Sequence, residues 1–306
     1  RDVAPSRGLG DVYKRQYENI KNIHVVWFGG EPLLGIKQIE SLYRKMILIP
    51  DKNYSFSIIS NGFLISPDII KLFKEMKLQH IQITLDGLKE THNKIKFTKN
   101  ENDTFSRTIK NIDLLASSAP EIRISIRVNM NKENSSEFIT LYSFILQRYK
   151  SNPLIGIYPA FITSTSSKSS SSCSLLFNRQ EKSEFIQQLY YDRGIVTNLC
   201  GYPDSSFTEC SIRNKHTFTI DPEGYLYKCW EIIGDQKYAI AKLDSEGTIQ
   251  SIDQKILNRY LYAADPLEDK TCSKCPYLPI CFGGCPHKRI ENIFKDKHYD
   301  TCTYLK

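Results

Sequence analysis

The sequence predicts an α/β protein, a parallel sheet of strand and helix units followed by a small cysteine-rich domain. Three observations carry that prediction. Short runs rich in β-branched and aromatic residues alternate with helical patterns from His24 to Tyr149. Each run stops at a glycine-rich or polar loop. Seven of the nine cysteines, Cys210, Cys229, Cys272, Cys275, Cys281, Cys285 and Cys302, then gather in the last third of the chain. The alternation gives a parallel sheet because a parallel strand pair needs a crossover, which a helix supplies.

Taken in order, Arg1 to Gln16 (RDVAPSRGLGDVYKRQ) opens without methionine and shows neither helical nor strand periodicity. It resembles a read-end translation in a metagenome-derived gene, so residues 1–16 are expected to be artefactual or disordered. His24 to Phe28 (HVVWF) reads as the first strand, ending at Gly29-Gly30-Glu31-Pro32 and followed by a helical pattern through Met46. Tyr54 to Ser60 reads as the second, stopped by Asn61-Gly62. Ser66-Pro67-Asp68 then has an N-cap residue with proline at the first helical position. Gln79 to Leu85 ends at Asp86-Gly87, Glu121 to Val128 at Asn129, and Leu154 to Ile162 in a loop, with helical segments around 104–117 and 133–149. The sheet region is thus expected over 17–162. Thr163 to Ser174 is serine-rich and of low complexity, and with the helical pattern of Phe177 to Tyr191 it predicts a linker loop and helix over 163–199. The cysteine-rich domain takes 200–306.

At 306 residues, 41% hydrophobic and 25% charged, the chain has room for one large globular domain or two. The +7 net charge is spread out rather than gathered in basic runs, so nucleic acid is not implied. No apolar run approaches the ~20 residues of a membrane span, and no signal-type stretch opens the chain. So many reduced cysteines point to the cytoplasm.

The cysteine spacing points to metal. Cys210 and Cys229 bracket Gly224 as C-x13-G-x4-C, and TCSKCPYLPICFGGC reads C-x2-C-x5-C-x3-C before Cys302 arrives. A tight C-x2-C turn aims two sulfurs at one point, and distant cysteines complete four-thiolate coordination of zinc or of an iron-sulfur cube. Eight ligands would fill two such sites; Cys200 is the nearest candidate for the eighth, which leaves Cys173 as the odd thiol. A disulfide framework belongs to small secreted domains without a core. Cysteine count alone leaves zinc and iron-sulfur both open.

Parallel α/β sheets place their sites at the carboxyl ends of the strands. There stand Gly29, Gly30 and Glu31, then Ser60, Asn61 and Gly62, then Asp86 and Gly87, then Arg127 and Asn129. Asn-Gly and Asp-Gly are also common turn formers. Glu31 is less ordinary, because it sets a carboxylate, suited to an ammonium group, where glycines let a ligand approach the backbone.

VVWFGGEPLL, the SNG turn, Thr84 to Gly87 with His92 downstream, and IRVN resemble the radical S-adenosylmethionine (SAM) fold. The cysteine array, with TFTIDPEGYLYKCW before Cys272, resembles the SPASM extension of its peptide-modifying members. The resemblance implies a partial (β/α)6 TIM-like barrel followed by a small SPASM domain with a β-hairpin. It implies that Gly29, Gly30 and Glu31 hold the amino group of the SAM methionine, with Ser60 and Asn61 beside the cofactor. Thr84 and Asp86 would contact the sugar or frame the substrate, and Arg127 would take the methionine carboxylate. It puts Cys210, Cys229 and Cys285, with Cys200 as fourth ligand, on a nearer auxiliary [4Fe-4S] cluster, and Cys272, Cys275, Cys281 and Cys302 on a farther one.

One departure stands out. The family's radical-generating cluster needs a C-x3-C-x2-C loop after the first strand, yet no cysteine precedes Cys173. That third [4Fe-4S] cluster is expected only in a full-length protein, and this polypeptide by itself should not cleave SAM. The implied reaction is reductive cleavage of SAM to a 5'-deoxyadenosyl radical that abstracts hydrogen from a ribosomally made peptide, with a flavodoxin or ferredoxin as reductant. The peptide is expected to carry a leader. The alternatives are a non-catalytic iron-sulfur or zinc-binding module that recognises a peptide, and an anaerobic sulfatase-maturating enzyme. In the last group an aspartate follows the cysteine that Cys229 matches, where this chain has Trp230.

Overall fold

The computed structural model describes residues 20–98, 102–163, 173–195 and 210–302. They divide into two compact units, 20–195 and 210–302. In the first, strands β1 (Asn22–Trp27), β2 (Asn53–Ser60), β3 (Leu78–Thr84), β4 (Arg123–Met130) and β5 (Ile155–Phe161) pair in chain order, all parallel. Each overlaps one of the five runs read from the sequence, with ends that differ by no more than two residues. Between them run α1 (Ile36–Met46), entered through the 3-10 turn Pro32–Gly35, then α2 (Pro67–Glu75), α3 (Lys89–Ile95), α4 (Thr104–Ser118) and α5 (Phe138–Arg148). Ser66 caps α2 as expected, its Oγ accepting the Ile69 N–H. Helix α3 is the element the sequence does not announce: KETHNKI has no apolar stripe, and its anchor is the buried His92.

Register decides the two faces of this sheet, since in-register residues of parallel strands point the same way. Ile58, Ile81, Ile124 and Ile155 form one buried row, and Ile83, Ile126 and Ile157 most of the next. Each fully buried isoleucine contributes about 1.5–3 kcal/mol. Helices α2 and α5 pack against β3 and β5. The opposite face is polar and bonded to itself: His24 bridges Ser55 (2.7 Å) and Ser57 (3.2 Å), His80 meets Ser125 (2.9 Å), and the Tyr158 hydroxyl donates to Gln82 (2.7 Å). A doubly wound sheet, covered by helices on both sides, would be apolar on both. One apolar and one polar face is the pattern of a barrel wall.

Helix α6 (Arg179–Arg193) also belongs to this unit. Asn178 and Glu181 form a capping box at its start, and Gly194 ends it in the left-handed conformation. Phe185 packs among Phe138, Phe161 and Phe177, and Lys132 pairs with Glu181 at 2.7 Å.

The second unit holds a four-stranded antiparallel sheet, β6 (Thr219–Ile220), β7 (Tyr225–Tyr227), β8 (Ala241–Leu243) and β9 (Ile249–Ile252). The hairpin expected over TFTIDPEGYLYKC is β6 and β7. Asp221 sets its turn, one carboxylate oxygen accepting the amides of Glu223 and Tyr225 at 2.9 Å each. Helices α7 (Gln254–Leu261), α8 (Leu278–Cys281) and α9 (Pro286–Lys295) complete the unit. Tyr227, Cys229, Tyr260 and Ile290 form one small core, and Leu226, Ile240 and Leu257 another.

Candidate cofactor site and candidate metal centre

The carboxyl ends of β1 and β2 are tied together by Glu31. Its Oε1 accepts the Leu33 amide (3.0 Å) and the Ser60 hydroxyl (2.8 Å), and its Oε2 accepts the Asn61 amide (2.8 Å). Ser60 Oγ in turn accepts the Gly62 amide at 3.0 Å. Four of the residues expected at the site are thereby brought to one place, since Gly30 precedes Glu31 in the chain. Glu31 is engaged by its own fold rather than left free, yet each carboxylate oxygen keeps acceptor capacity for a further donor. Gly29 and Gly30 are exposed, neither has a left-handed φ, and a Cβ on either would meet nothing within 4 Å. The chain's own conformation does not ask for glycine there, so the open space above the backbone is what the two residues provide.

The ends of β3 and β4 form a second linked group. Thr84 is in register with Arg127. Arg127 Nε donates to Asn129 Oδ1 (3.0 Å), and Asn129 Nδ2 donates to Asp86 Oδ1 (3.0 Å). The Asp86 side chain is 4% exposed, and its other oxygen is buried without a hydrogen-bond donor, with the Lys96 ammonium 3.7 Å away. The Asp86 loop is held from three sides: its amide donates to His92 Nδ1 (3.1 Å), its carbonyl accepts from Asn134 (2.7 Å), and Glu137 takes the Leu88 amide (2.7 Å). Burial lowers the His92 pKa to about 4, so the imidazole is neutral with Nδ1 as acceptor. Sequence reasoning marked His92 but missed Asn134 and Glu137. Their positions on the segment after β4 carry no local signal of a contact with a loop more than forty residues earlier.

In the second unit Cys210, Cys229, Cys272, Cys275, Cys281, Cys285 and Cys302 are all free thiols. Cys200 lies outside the described residues. Burial pushes the Cys229 thiol up to about 12, and the charges of Cys285 and Cys210 add to that rise. Cys272, also raised by burial, feels Cys302 instead. Cys229 thus lies within electrostatic reach of Cys210 and Cys285, and Cys272 within reach of Cys302. Among the described residues no three His, Cys, Asp or Glu side chains converge closely enough to hold one metal ion.

A glycine brings the segment of Cys302 close. Gly283 and Gly284 have φ of +77° and +74°, and a Cβ on Gly284 would lie 1.8 Å from the Thr301 carbonyl oxygen. Only glycine lets the loop before Cys285 lie against the segment that carries Cys302. Beside Cys229, the buried Lys228 donates to the Asn214 and Thr217 carbonyls at 2.6 Å each, and burial lowers its pKa to about 8.

Residues 11–145 match the Radical SAM superfamily. The chain contains a radical SAM domain. Similarity runs further than that domain. The cysteine-type anaerobic sulfatase-maturating enzyme of Clostridium novyi (strain NT) is 25% identical over 93% of this chain and 79% of its own length. The radical SAM cyclopropyl synthase TigE of Paramaledivibacter caminithermalis is 29% identical over 91% of this chain and 58% of its own. Among solved structures, native anSMEcpe with bound AdoMet and the Cp18Cys peptide superposes with a TM-score of 0.64 at 18% identity, covering 94% of this chain and 82% of that one. The likeness to that structure is one of fold.

For the radical SAM domain two features test the fit to SAM. The open backbone at Gly29 and Gly30 leaves room for a ligand, and the donorless oxygen of Asp86 is a buried acceptor of the kind a hydroxyl or an amide satisfies. Both suit the cofactor. No described helix is long and apolar enough to cross a membrane.

Proposed function

We propose that this protein is the SAM-holding and auxiliary-cluster portion of a radical SAM oxidoreductase that modifies a ribosomally made peptide in the cytoplasm. Gly29, Gly30 and Glu31 receive the methionine amino group, with Ser60 and Asn61 fixing Glu31 beside it. Arg127 pairs with the methionine carboxylate through its guanidinium fork, and Thr84 and Asp86 take the sugar or frame the substrate. Cys210, Cys229 and Cys285, with Cys200 as fourth ligand, hold one SPASM cluster; Cys272, Cys275, Cys281 and Cys302 hold the other. Reductively cleaved SAM supplies the radical that takes a hydrogen atom from the peptide, and the auxiliary clusters supply a path for the electron left on the product. A flavodoxin or ferredoxin provides the reducing electron, and a leader segment guides the peptide.

The observation that carries this reading is the Radical SAM match over residues 11–145, with Glu31 joined to Ser60 and Asn61 at the strand ends beside the open backbone of Gly29 and Gly30. The cysteine spacing of the second unit leaves two iron-sulfur cubes and two zinc ions to be told apart. Anaerobic reconstitution followed by iron, sulfide and zinc assays tests it: two cubes give about eight irons per chain, and zinc alone refutes the reading. With no cysteine before Cys173, this polypeptide binds SAM without releasing 5'-deoxyadenosine. Release of that product appears once a C-x3-C-x2-C loop is supplied upstream.

Sulfatase maturation is the second reading, favoured by the 25% identity to the Clostridium novyi enzyme over 93% of the chain and opposed by Trp230. A cysteine-containing sulfatase peptide converted by the full-length gene product, in preference to short peptides encoded beside its gene, would establish it.

A further inference from the structure

The second unit has a cleft that the chemistry above does not use. The 3-10 turn Gln236–Tyr238 and helices α7 and α9 enclose it, about 350 Å³ in all and partly open to solvent, at the small end of the range for ligand pockets. Ile256, Tyr260 and Ile290 give it an apolar wall. Its charged groups divide into paired and unpaired ones. Glu291, 6% exposed, accepts the Tyr238 hydroxyl at 3.0 Å and pairs with the Lys295 ammonium at 3.3 Å. Lys295 also donates to the Tyr238 hydroxyl and lies over its ring. That carboxylate and that cation neutralise each other, and they fix one side of the cleft before any ligand arrives. Arg259 is different. Its guanidinium lies 4.3 Å from the centre of the Phe294 ring, and among the described residues no carboxylate pairs with it or with the exposed Lys237. Stacking on the ring fixes the plane of the fork and leaves its N–H groups free to donate. Three cations thus line the cleft against one carboxylate.

We infer that this cleft binds an acidic segment of a peptide, with a carboxylate on the Arg259 fork beside Lys237 and an apolar neighbouring side chain against Ile256 and Tyr260. The choice of a peptide as the occupant rests on the peptide-modifying reading given above. The choice of a carboxylate rests on the cleft itself: an unpaired planar guanidinium takes such a group through two parallel bonds, and the wall beside it favours an anion carried on an apolar body.

Fluorescence anisotropy on the full chain tests this, in about 0.15 M salt, where charges more than about 8 Å apart are largely screened. The probes are a labelled peptide of alternating leucine and glutamate and the same peptide with glutamine in place of every glutamate. The glutamate peptide binds about tenfold more tightly. Arg259→Gln removes most of that advantage and leaves the affinity for the glutamine peptide unchanged; Lys237→Gln gives a smaller loss of the same kind. An unchanged thermal midpoint excludes a folding defect, and if Arg259→Gln melts early, the exposed Lys237 decides. Equal binding of the two peptides, or a preference for glutamate that survives both substitutions, overturns the inference, since the attraction then belongs to the +7 net charge of the whole chain. Full displacement of the glutamate peptide by an equal concentration of inorganic phosphate shows a general anion site and overturns it as well. None of these outcomes bears on the peptide-modifying reading, which the iron and zinc assays test separately.

Discussion

At the ends of the parallel strands the polar groups satisfy one another: Glu31 holds three donors from its own chain, and Asp86 is gripped through its amide, its carbonyl and one carboxylate oxygen. In the cysteine unit the thiols are free, and what is fixed is the loops that carry them, through two left-handed glycines and one buried arginine. The first region is organised before any ligand arrives. The second is a frame of loops that carries seven free thiols. Substitutions at the strand ends should therefore be felt in stability and in SAM affinity, and substitutions among the cysteine loops in metal content.

The largest effect is expected from Gly284→Ala. The added methyl group collides with the Thr301 carbonyl, and the segment bearing Cys302 has to move away. Iron per reconstituted chain should fall by about half, one of two [4Fe-4S] clusters, while SAM binding measured by calorimetry is unchanged. Full iron content in this variant would remove the distinction between the two regions.

Next in size is the acid sensitivity of the strand-end region. His92 titrates near 6.5 when unfolded and at about 4 when folded, chiefly because burial disfavours the charged ring. Between those values the unfolded chain binds the extra proton, so stability rises with pH. The contribution is complete above pH 6.5 and fades as pH falls toward 4, by roughly 3 kcal/mol at most. Urea unfolding at pH 7 and pH 5 should show this loss in the wild-type chain and a smaller one in His92→Gln.

Glu31→Ala should cost about 2 kcal/mol in the same unfolding assay, because it leaves the Leu33 and Asn61 amides without their acceptor. SAM affinity should weaken with it by tenfold or more. Gly29→Ala sharpens the comparison from the other side. With nothing within 4 Å of the new methyl group, stability should change by less than about 0.5 kcal/mol, while SAM affinity falls. A large stability loss here would mean that the chain itself needs the glycine.

Much of the first unit was legible because parallel strands and their helices repeat a pattern long enough to read. All five strands, the Ser66 cap and the polar residues at the strand ends could be placed from the alternation alone. Helix α3 could not, since six polar residues and a single isoleucine have no apolar periodicity and the helix is fixed by His92 reaching the Asp86 loop. Likewise β8, β9 and α9 were not read, being short or dominated by the cysteine spacing around them. Arg289 looked like an ordinary helix arginine until its donors were seen to reach Gly283, Asp269 and Cys272.

By itself, the sequence determined the class of the sheet, the stations along it where a cofactor could sit, and the presence of a thiol-rich unit after it. Each of those depends on residue type and on spacing along the chain. Only the tertiary structure decided that Glu31 joins two strands and that a single guanidinium reaches both the Gly283 loop and the segment of Asp269 and Cys272. Those outcomes depend on contacts between residues far apart in sequence, as at Gly284, whose missing side chain leaves room for the Thr301 backbone.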